Sequence, residues 1–445
     1  MMEAVSTQRI LVVGAGHVGL YVALRLSRKL RRGEAEVIVV DPRSHMTYQP
    51  FLPEVSAGSI EPRHAVVPLR RELARCTILA GEVTRIEHAR RVATVQPIVG
   101  PTREVPYDQI VVAPGSVSRT LPIPGLREQA IGFKSVGEAI YLRNKVLERL
   151  DAAATTTDPG TRAAALTFVF VGGGYAGIEA LAELEDMARF ALRYYEELRP
   201  EEMHWVLVEA SNRILPEVDP DMGAYTVREL LRRRLDIRLG TRMESCVDGV
   251  VKLSDGDQFK ADTIVWTAGV KPHPMLRDTD LPLDEKGRVT CLATLQVVDA
   301  SGQVVDGAWA AGDSAAVPDL TKGPGALTGP SAQHAVRQAG RLADNLLAVL
   351  RGGTPTEYRH KYAGSVASLG LHKGVAQVYG IKLKGLPAWF MHRTYHLLRI
   401  PSFNRKVRVV IDWTLALFLR REVVALGELH EPRESFTEVT PPVPH

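Results

Sequence analysis

The chain has 445 residues, 45% of them hydrophobic and 24% charged, with 37 Gly and 28 Pro; this is about three domain-sized units and excludes a peptide, a coiled coil, a collagen-like repeat and bulk disorder. The three cysteines, Cys76, Cys246 and Cys291, lie far apart without a C-x-x-C pair, so neither a thiol redox centre nor a zinc site is expected, the three read as small buried hydrophobes, and the chain reads as intracellular. The net charge of +4 is unevenly spread, because Arg359 to Arg421 carries twelve Lys/Arg and one acid, Asp412, leaving an acidic body. The polar start, with Glu3, has no apolar h-region, so no secretory signal is expected. No apolar run approaches the ~18 residues that span a bilayer.

The first element is the apolar strand Arg9-Ile10-Leu11-Val12-Val13, followed by Gly14-Ala15-Gly16-His17-Val18-Gly19 and a helical pattern through Leu20, Ala23, Leu24 and Leu26. A second strand, Val37-Ile38-Val39-Val40, ends on Asp41, 27 residues beyond Gly14. Strand, G-x-G-x-x-G, helix, strand and acid is the pattern of a dinucleotide-binding unit: tight turn, close approach to a pyrophosphate, helix packing, and a carboxylate for a ribose hydroxyl. The helix N-terminus adds amide donors and partial positive charge. The unit closes at Gln109-Ile110-Val111-Val112-Ala113-Pro114-Gly115. Residues 151–165, with Ala-Ala-Ala-Thr-Thr-Thr and Asp-Pro-Gly, read as a connection.

The pattern then recurs: strand Leu166 to Val171, Gly172-Gly173-Gly174-Tyr175-Ala176-Gly177, a helix from Ile178, strand Trp205 to Val208 ending on Glu209, and closure at Thr263 to Ala268-Gly269. One G-x-G-x-x-G is weak; two copies with matching strands, acids and closures are a repeat of function. Glu209 would repel a 2′-phosphate and so favours NADH over NADPH, with Arg213 nearby in sequence. A further strand-like run, Gly307 to Ala311, leads into Gly312-Asp313.

Two such units and a late Gly-Asp resemble the two-dinucleotide-fold flavoprotein reductases. The resemblance implies FAD on the first unit, with His17 in its glycine loop and Ala113 and Gly115 at its closure, and NAD(P)H on the second. It also implies that Asp313 is an FAD ligand and that the second unit is inserted in the first. Segments Thr47 to Gly58, Ile60-Glu61-Pro62, Val67 to Arg70, Gly172 to Glu179, Pro330 to Gln338, Ser368 to Gly374 and Asn404 to Trp413 are similar to type II NADH dehydrogenases, the single-subunit, non-proton-pumping NADH:quinone oxidoreductases. The likeness runs from residue 9 to about 428. The implied organisation is α/β: 1–150 FAD-binding, 151–165 connection, 166–290 NADH-binding, 291–358 FAD-binding again, 359–428 a basic amphipathic membrane-docking module, and 429–445 a mobile tail. One departure stands out: the family's Ala-Gln-x-Ala-x-Gln reads Ala332-Gln333-His334-Ala335-Val336-Arg337, with Gln338 one place late.

Hydride transfer needs no side-chain nucleophile, since the cofactors carry the chemistry. Glu179, placed on the first turn of the second helix, is implied to order hydride geometry or pass protons; its plain alternative is to complement the helix dipole. Gln333 is implied to face a quinone carbonyl, and His334 and Arg337, at i and i+3, to protonate or stabilise the reduced quinone. Lys373 is placed in a loop near the quinone channel. The thirteen histidines form no metal motif.

Leu386 to Ile400 sets His392, His396 and Arg399, with Arg393, against an apolar stripe of Ala388, Met391, Tyr395 and Leu398. Arg405-Lys406-Val407-Arg408 and Arg420-Arg421 flank the apolar run Val409 to Leu419, which is too short to span a bilayer. This suits a helix pair lying on an anionic membrane surface, peripheral, at the cytoplasmic face. A packed core helix or a homodimer contact is the alternative, and the charge is not arranged as a nucleic-acid module. The acceptor is then a membrane quinone, menaquinone or ubiquinone. Two rivals remain: a soluble NAD(P)H-dependent flavoprotein reductase serving a small redox protein, and a slow nucleotide-sensing scaffold.

Overall fold

The computed structural model describes residues 7–360 and 364–427; the stretch 429–445, expected to be a mobile tail, lies outside them. The chain forms two compact units. One takes Met1–Tyr48, Val66–Val117 and Val270–Tyr362; the other takes Gln49–Ala65, Ser118–Gly269 and Ala363–His445.

The first unit is built on an eight-stranded sheet in the order Gln296–Val298, Val304–Ala310, Gln109–Val112, Gln8–Val13, Ala35–Asp41, Thr77–Glu87, Val92–Pro97, Arg103–Pro106. The strands from Val304–Ala310 to Thr77–Glu87 run parallel, in registers such as Val12↔Val39, Val12↔Val111 and Trp309↔Val111. Ile10, Leu11, Val12 and Val39 are fully buried, so these central strands read as continuous apolar runs instead of alternating ones. The helix Gly19–Lys29 packs beside the helix Ala332–Leu350. Asp344 ties the pair by accepting from Arg25 at 2.6 Å and from Lys29 at 2.7 Å.

The second unit repeats the arrangement with a five-stranded parallel sheet, ordered Ala130–Ile131, Thr263–Trp266, Thr167–Val171, His204–Glu209, Asp236–Leu239. In both units the strand entering the glycine loop is flanked by the closing strand and by the strand that ends in the acid. Trp205 stacks on Phe168 with ring centroids 4.2 Å apart, anchoring the sheet. The stretch 151–165 is mostly helical and lies within this unit: the helix Val136–Thr155 starts from a Ser135/Glu138 capping box, and Pro159–Ala165 is capped by Asp158 through the Thr161 amide at 2.7 Å.

An antiparallel sheet of Gly364–Ser368, Gly374–Val378 and Ile381–Lys384 leads to the helices Leu386–Arg399 and Phe403–Phe418. Their burial does not follow the amphipathic stripe alone. His392 and Arg393 are buried, whereas Leu398, Phe403, Leu417 and Phe418 are 67%, 80%, 70% and 81% exposed. The expected stripe is split, with Ala388 inside and Leu398 outside. The reason is a set of buried acids: Glu54, on the short helix Leu52–Ser56, accepts from Arg393 Nη2 and Trp413 Nε1, each at 2.8 Å. Asp412 likewise meets His64 Nδ1 at 2.6 Å.

Candidate functional site

The two glycine loops are stereochemical copies. In the first, the Gly14 amide donates to Val40 O (2.8 Å) and the Ala113 amide to Val13 O (3.0 Å). In the second, Gly172 donates to Val208 O (2.9 Å) and Thr267 to Val171 O (2.8 Å). Gly14 and Gly172 sit at φ +86° and +115°, and a Cβ at either would lie 2.6 Å from Ala113 O or 2.7 Å from Thr267 C. These positions require glycine on both counts. The third glycines, Gly19 and Gly177, let their helices press on the carbonyls of Gly14 and Gly172.

The second glycines behave differently. A Cβ on Gly16 or Gly174 would meet nothing within 4 Å, and the same holds for Gly115 and Gly269 at the closing turns. Four glycines thus line open cradles at the ends of the parallel strands, where a nucleotide backbone could approach closely. The helices Gly19–Lys29 and Tyr175–Ala191 open with neither a side-chain cap nor an acid in the first turn, which leaves their N-terminal amides for phosphate oxygens.

Each acid braces its own loop. Asp41 accepts from the Ala15 amide (2.8 Å) and the Arg43 amide (2.8 Å); Glu209 accepts from the Gly173 amide (2.6 Å) and the Ser211 amide (2.7 Å). Arg213 is committed elsewhere, its Nη2 donating to Pro216 O at 2.9 Å and Val218 O at 2.6 Å. Asp313 lies on the turn Gly312–Ser314 and accepts from Ser116 Oγ at 2.6 Å. His17 Nε2 is buried with no hydrogen-bond partner, and burial pushes its imidazole down to about 4. The donor and acceptor set, the open cradles and the uncapped helix starts fit one dinucleotide per unit.

Of the expected catalytic residues, Gln333, His334 and Arg337 belong to the first unit, and Glu179 and Lys373 to the second. His334 and Arg337 turn to different partners. His334 Nδ1 meets the Tyr358 hydroxyl at 2.8 Å, and burial lowers its pKa. Arg337 turns back on Gln333, donating to its backbone O at 3.1 Å and its side-chain Oε1 at 3.4 Å. Gln338 is no substitute for the missing second glutamine, because it is fully buried, accepts from the Gly312 amide at 2.7 Å and donates to Thr328 at 3.1 Å. Lys373 is half-buried in the turn between two strands.

The second helix begins at Tyr175, earlier than the expected Ile178, so Glu179 falls on its second turn, away from the terminal dipole. Glu179 is buried and accepts from the Ser368 amide at 2.8 Å, with His392 Nε2 at 3.0 Å. That contact has ion-pair distance without hydrogen-bond alignment. Four neighbours in the same unit were not among the expected site residues: Glu54, His392 and Arg393, read only as parts of a family segment and of a basic helix face, and Glu183, not read at all. Glu183 lies one turn beyond Glu179 on an otherwise Ala/Leu-rich helix, and that acid on the buried stripe was the available signal. Cys76 departs from expectation in being only half-buried, with burial raising its thiol to about 11.

Residues 8–339 match the family model described as pyridine nucleotide-disulphide oxidoreductase. The chain belongs to this family. All three cysteines are free in this structure. Among curated relatives, the type II NADH:quinone oxidoreductase Ndh of Mycobacterium tuberculosis is 29% identical over 429 residues, covering 93% of this chain and 89% of the relative. The mitochondrial external alternative NADH-ubiquinone oxidoreductase of Yarrowia lipolytica is 26% identical, covering 94% and 81%. The fold matches that of NDH2 from Plasmodium falciparum in complex with NADH, with a TM-score of 0.85 at 17% identity over 94% of this chain and 100% of the other. The α/β reading and the type II resemblance are borne out.

Proposed function

We propose that the protein is an FAD-dependent NADH:quinone oxidoreductase that works as a peripheral enzyme on the cytoplasmic face of a membrane. The observation that carries the reading is the doubled glycine cradle with its paired acids, one per unit, taken with relatives named for this reaction. FAD, when bound, would supply the two-electron chemistry between NADH and quinone. Gly14, Gly16, Gly19, Asp41, Ala113, Gly115, Gly312 and Asp313 hold FAD, with His17 kept neutral in the loop by burial. Gly172, Gly174, Gly177, Glu209, Ala268 and Gly269 hold NADH. Glu209 disfavours a 2′-phosphate, and Arg213 is already spent on carbonyls.

Gln333 offers an uncharged amide to a quinone carbonyl, and the Arg337 guanidinium donates to its Oε1 at 3.4 Å. Arg337 so replaces an amide of the family motif with a cation that stabilises developing negative charge on the quinone oxygen. The exposed apolar side chains Leu398, Phe403, Leu417 and Phe418, flanked by Arg405, Lys406, Arg408 and Arg420, are the membrane-facing surface. No helix among the described residues is long and apolar enough to cross a bilayer.

The test is steady-state NADH oxidation by the flavoprotein on anionic liposomes with a menaquinone or ubiquinone analogue, beside NADPH and beside Gln333→Ala. Fast quinone-dependent turnover, slower with NADPH and collapsing in the variant, is expected. Flavin that NADH reduces and quinone leaves reduced would refute the acceptor. A homodimer that hides the apolar face and ignores liposomes would refute the docking surface.

A further inference from the structure

Beneath the C-terminal helix pair, entirely within the second unit, lies a buried group of ionisable side chains larger than cofactor binding needs. The helix Tyr175–Ala191 contributes Glu179, Glu183 and Asp186; its Glu185 points away to Arg189 and Arg233. The helix Leu52–Ser56 contributes Glu54. The strand Gly364–Ser368 contributes the hydroxyl and amide of Ser368. The helix Leu386–Arg399 contributes His392, Arg393 and His396, and Arg421 follows the last helix. Glu54, Glu179, Glu183 and His392 are nearly or wholly buried.

These groups are linked at contact distance. Ser368 Oγ donates to Glu183 Oε1 at 2.6 Å, the Ser368 amide donates to Glu179 Oε1 at 2.8 Å, and that same oxygen lies 3.0 Å from His392 Nε2. The His392 ring meets the half-buried His396 ring edge-on at 4.6 Å, on the helix that carries exposed Phe390 and Leu398. His392 Nδ1 is buried without a hydrogen-bond partner. Two guanidiniums are already matched: Arg393 to Glu54 at 2.8 Å and Arg421 to Asp186 at 3.2 Å. Arg421 also attracts Glu183 from a distance, with Arg143 of the helix Val136–Thr155 close to Arg421, but among the described residues the cation at ion-pair distance from Glu179 is His392, so Glu54, Glu179, Glu183 and Asp186 outnumber His392, Arg393 and Arg421 by one negative charge in a low-dielectric interior. Taking up a proton removes that charge.

We propose that Glu183 and His392, bridged by Ser368 and Glu179, hold one exchangeable proton and yield it as the second proton of the quinol. The inference rests on the quinone reading above. The balance is NADH + H⁺ + quinone → NAD⁺ + quinol: the hydride equivalent brings two electrons and one proton, the cluster gives the other proton, and water returns one to the cluster. The electrostatics suit the task. Burial, with Glu54 adding repulsion, raises the Glu183 carboxyl to about 7. Burial opposes charge on His392, but Glu179, Glu54 and Glu183 outweigh it and hold its pKa above the ordinary value. Both groups act through the cluster and are positioning residues.

Two measurements on the holoenzyme test this. Infrared difference titration reads the protonated-carboxyl band, which in the wild type should fade as pH rises through about 7 and be missing in Glu183→Gln. Stopped flow reads flavin reduction by NADH and reoxidation by a quinone analogue separately across pH. In Glu183→Gln and His392→Gln, reoxidation should slow ~10–100-fold, far more than reduction, and lose the wild-type alkaline limb. Ser368→Ala, which removes the hydrogen bond to Glu183 while keeping both ionisable groups, should shift that limb. Wild-type pH profiles in both variants, or the absence of a titrating carboxyl band, would overturn the proposal alone. A wild type that NADH reduces and quinone cannot reoxidise would overturn the quinone reading and this inference together.

Discussion

Two glycines of the second loop, Gly174 and Gly177, make a sharp test, because the structure gives them opposite roles. Gly174 has φ −76° and ψ 179°, which alanine adopts without strain, and its Cβ would face open space. Gly174→Ala therefore costs the fold only the difference between Gly and Ala at an N-cap, up to about 1 kcal/mol. The added methyl projects into the cradle, where one misplaced carbon in a close-fitting site costs about 1–3 kcal/mol, or ~10–200-fold in NADH affinity. Gly177 is the reverse. Its Cβ would strike the Gly172 carbonyl and lie 2.6 Å from Thr267 Oγ1, and neither backbone can retreat without parting helix from strand. The helix-propensity gain of alanine, ~1 kcal/mol, is set against overpacking of about 1–3 kcal/mol or more. A net loss of about 1–2 kcal/mol lowers Tm by roughly 2–8 °C for a unit of this size. Thermal unfolding followed by tryptophan fluorescence, with NADH titrated anaerobically against flavin bleaching, reads both quantities. Unchanged NADH affinity in Gly174→Ala, or an unchanged Tm in Gly177→Ala, would refute the division of roles.

Glu54→Ala should cost about 3–5 kcal/mol in denaturant unfolding, because it strands the buried Arg393 guanidinium; Glu54→Gln, which keeps an acceptor for Trp413 and Arg393, should cost less. His17 is neutral in the folded protein down to about 4 but titrates at about 6.5 when unfolded. The unfolded chain thus binds more protons across that window, and stability falls as pH drops from 6.5 towards 4; His17→Asn should flatten this limb in melts taken across it. Arg213→Ala should leave the NADH-to-NADPH ratio of kcat/KM within about twofold while loosening the Leu215 to Val218 turn, and a marked shift towards either nucleotide would show that Arg213 contacts the ribose. Leu398→Glu with Phe418→Glu should weaken flotation with anionic liposomes at least ~10-fold, since each exposed side chain stands to gain about 1.5–3 kcal/mol on burial.

The parallel sheets, the glycine loops and the acids were legible in sequence because each is set by local stereochemistry. A tight turn needs Gly14 at φ +86°, a doubly covered strand needs an apolar run such as Ile10 to Val13, and both repeat at a fixed offset. The altered glutamine motif was visible, but its consequence was not: only the fold shows Gln338 bonded to Gly312 and Arg337 turned onto Gln333. Glu183 and Glu54 stayed hidden because their significance comes from residues ~185 and ~340 positions away, Ser368 and Arg393, and sequence spacing carries no information on such contacts. The 151–165 stretch misled through its composition, since Asp158 reads as a turn residue when it is a helix cap.

The C-terminal helices show a further limit of pattern reading. Periodicity finds two unlike faces on a helix but does not say which faces water, and the usual assumption that the polar face does is a statement about the solvent. Here Arg393 lies 3.9 Å from the Trp389 ring and 4.7 Å from the Trp413 ring while bonded to Glu54. The cation is thus paired and stacked inside, which offsets part of its desolvation. With that face committed, Phe403, Val410, Ile411, Leu415, Leu417 and Phe418 remain outside, a contiguous apolar surface that aqueous solvent penalises. Such a surface is favoured where the outer medium is itself apolar and anionic headgroups meet the flanking arginines, which is the docking proposed above. The same packing buries His392 against Glu179 and Arg393 against Glu54, so one arrangement of the two helices leaves apolar side chains outside and ionisable ones inside.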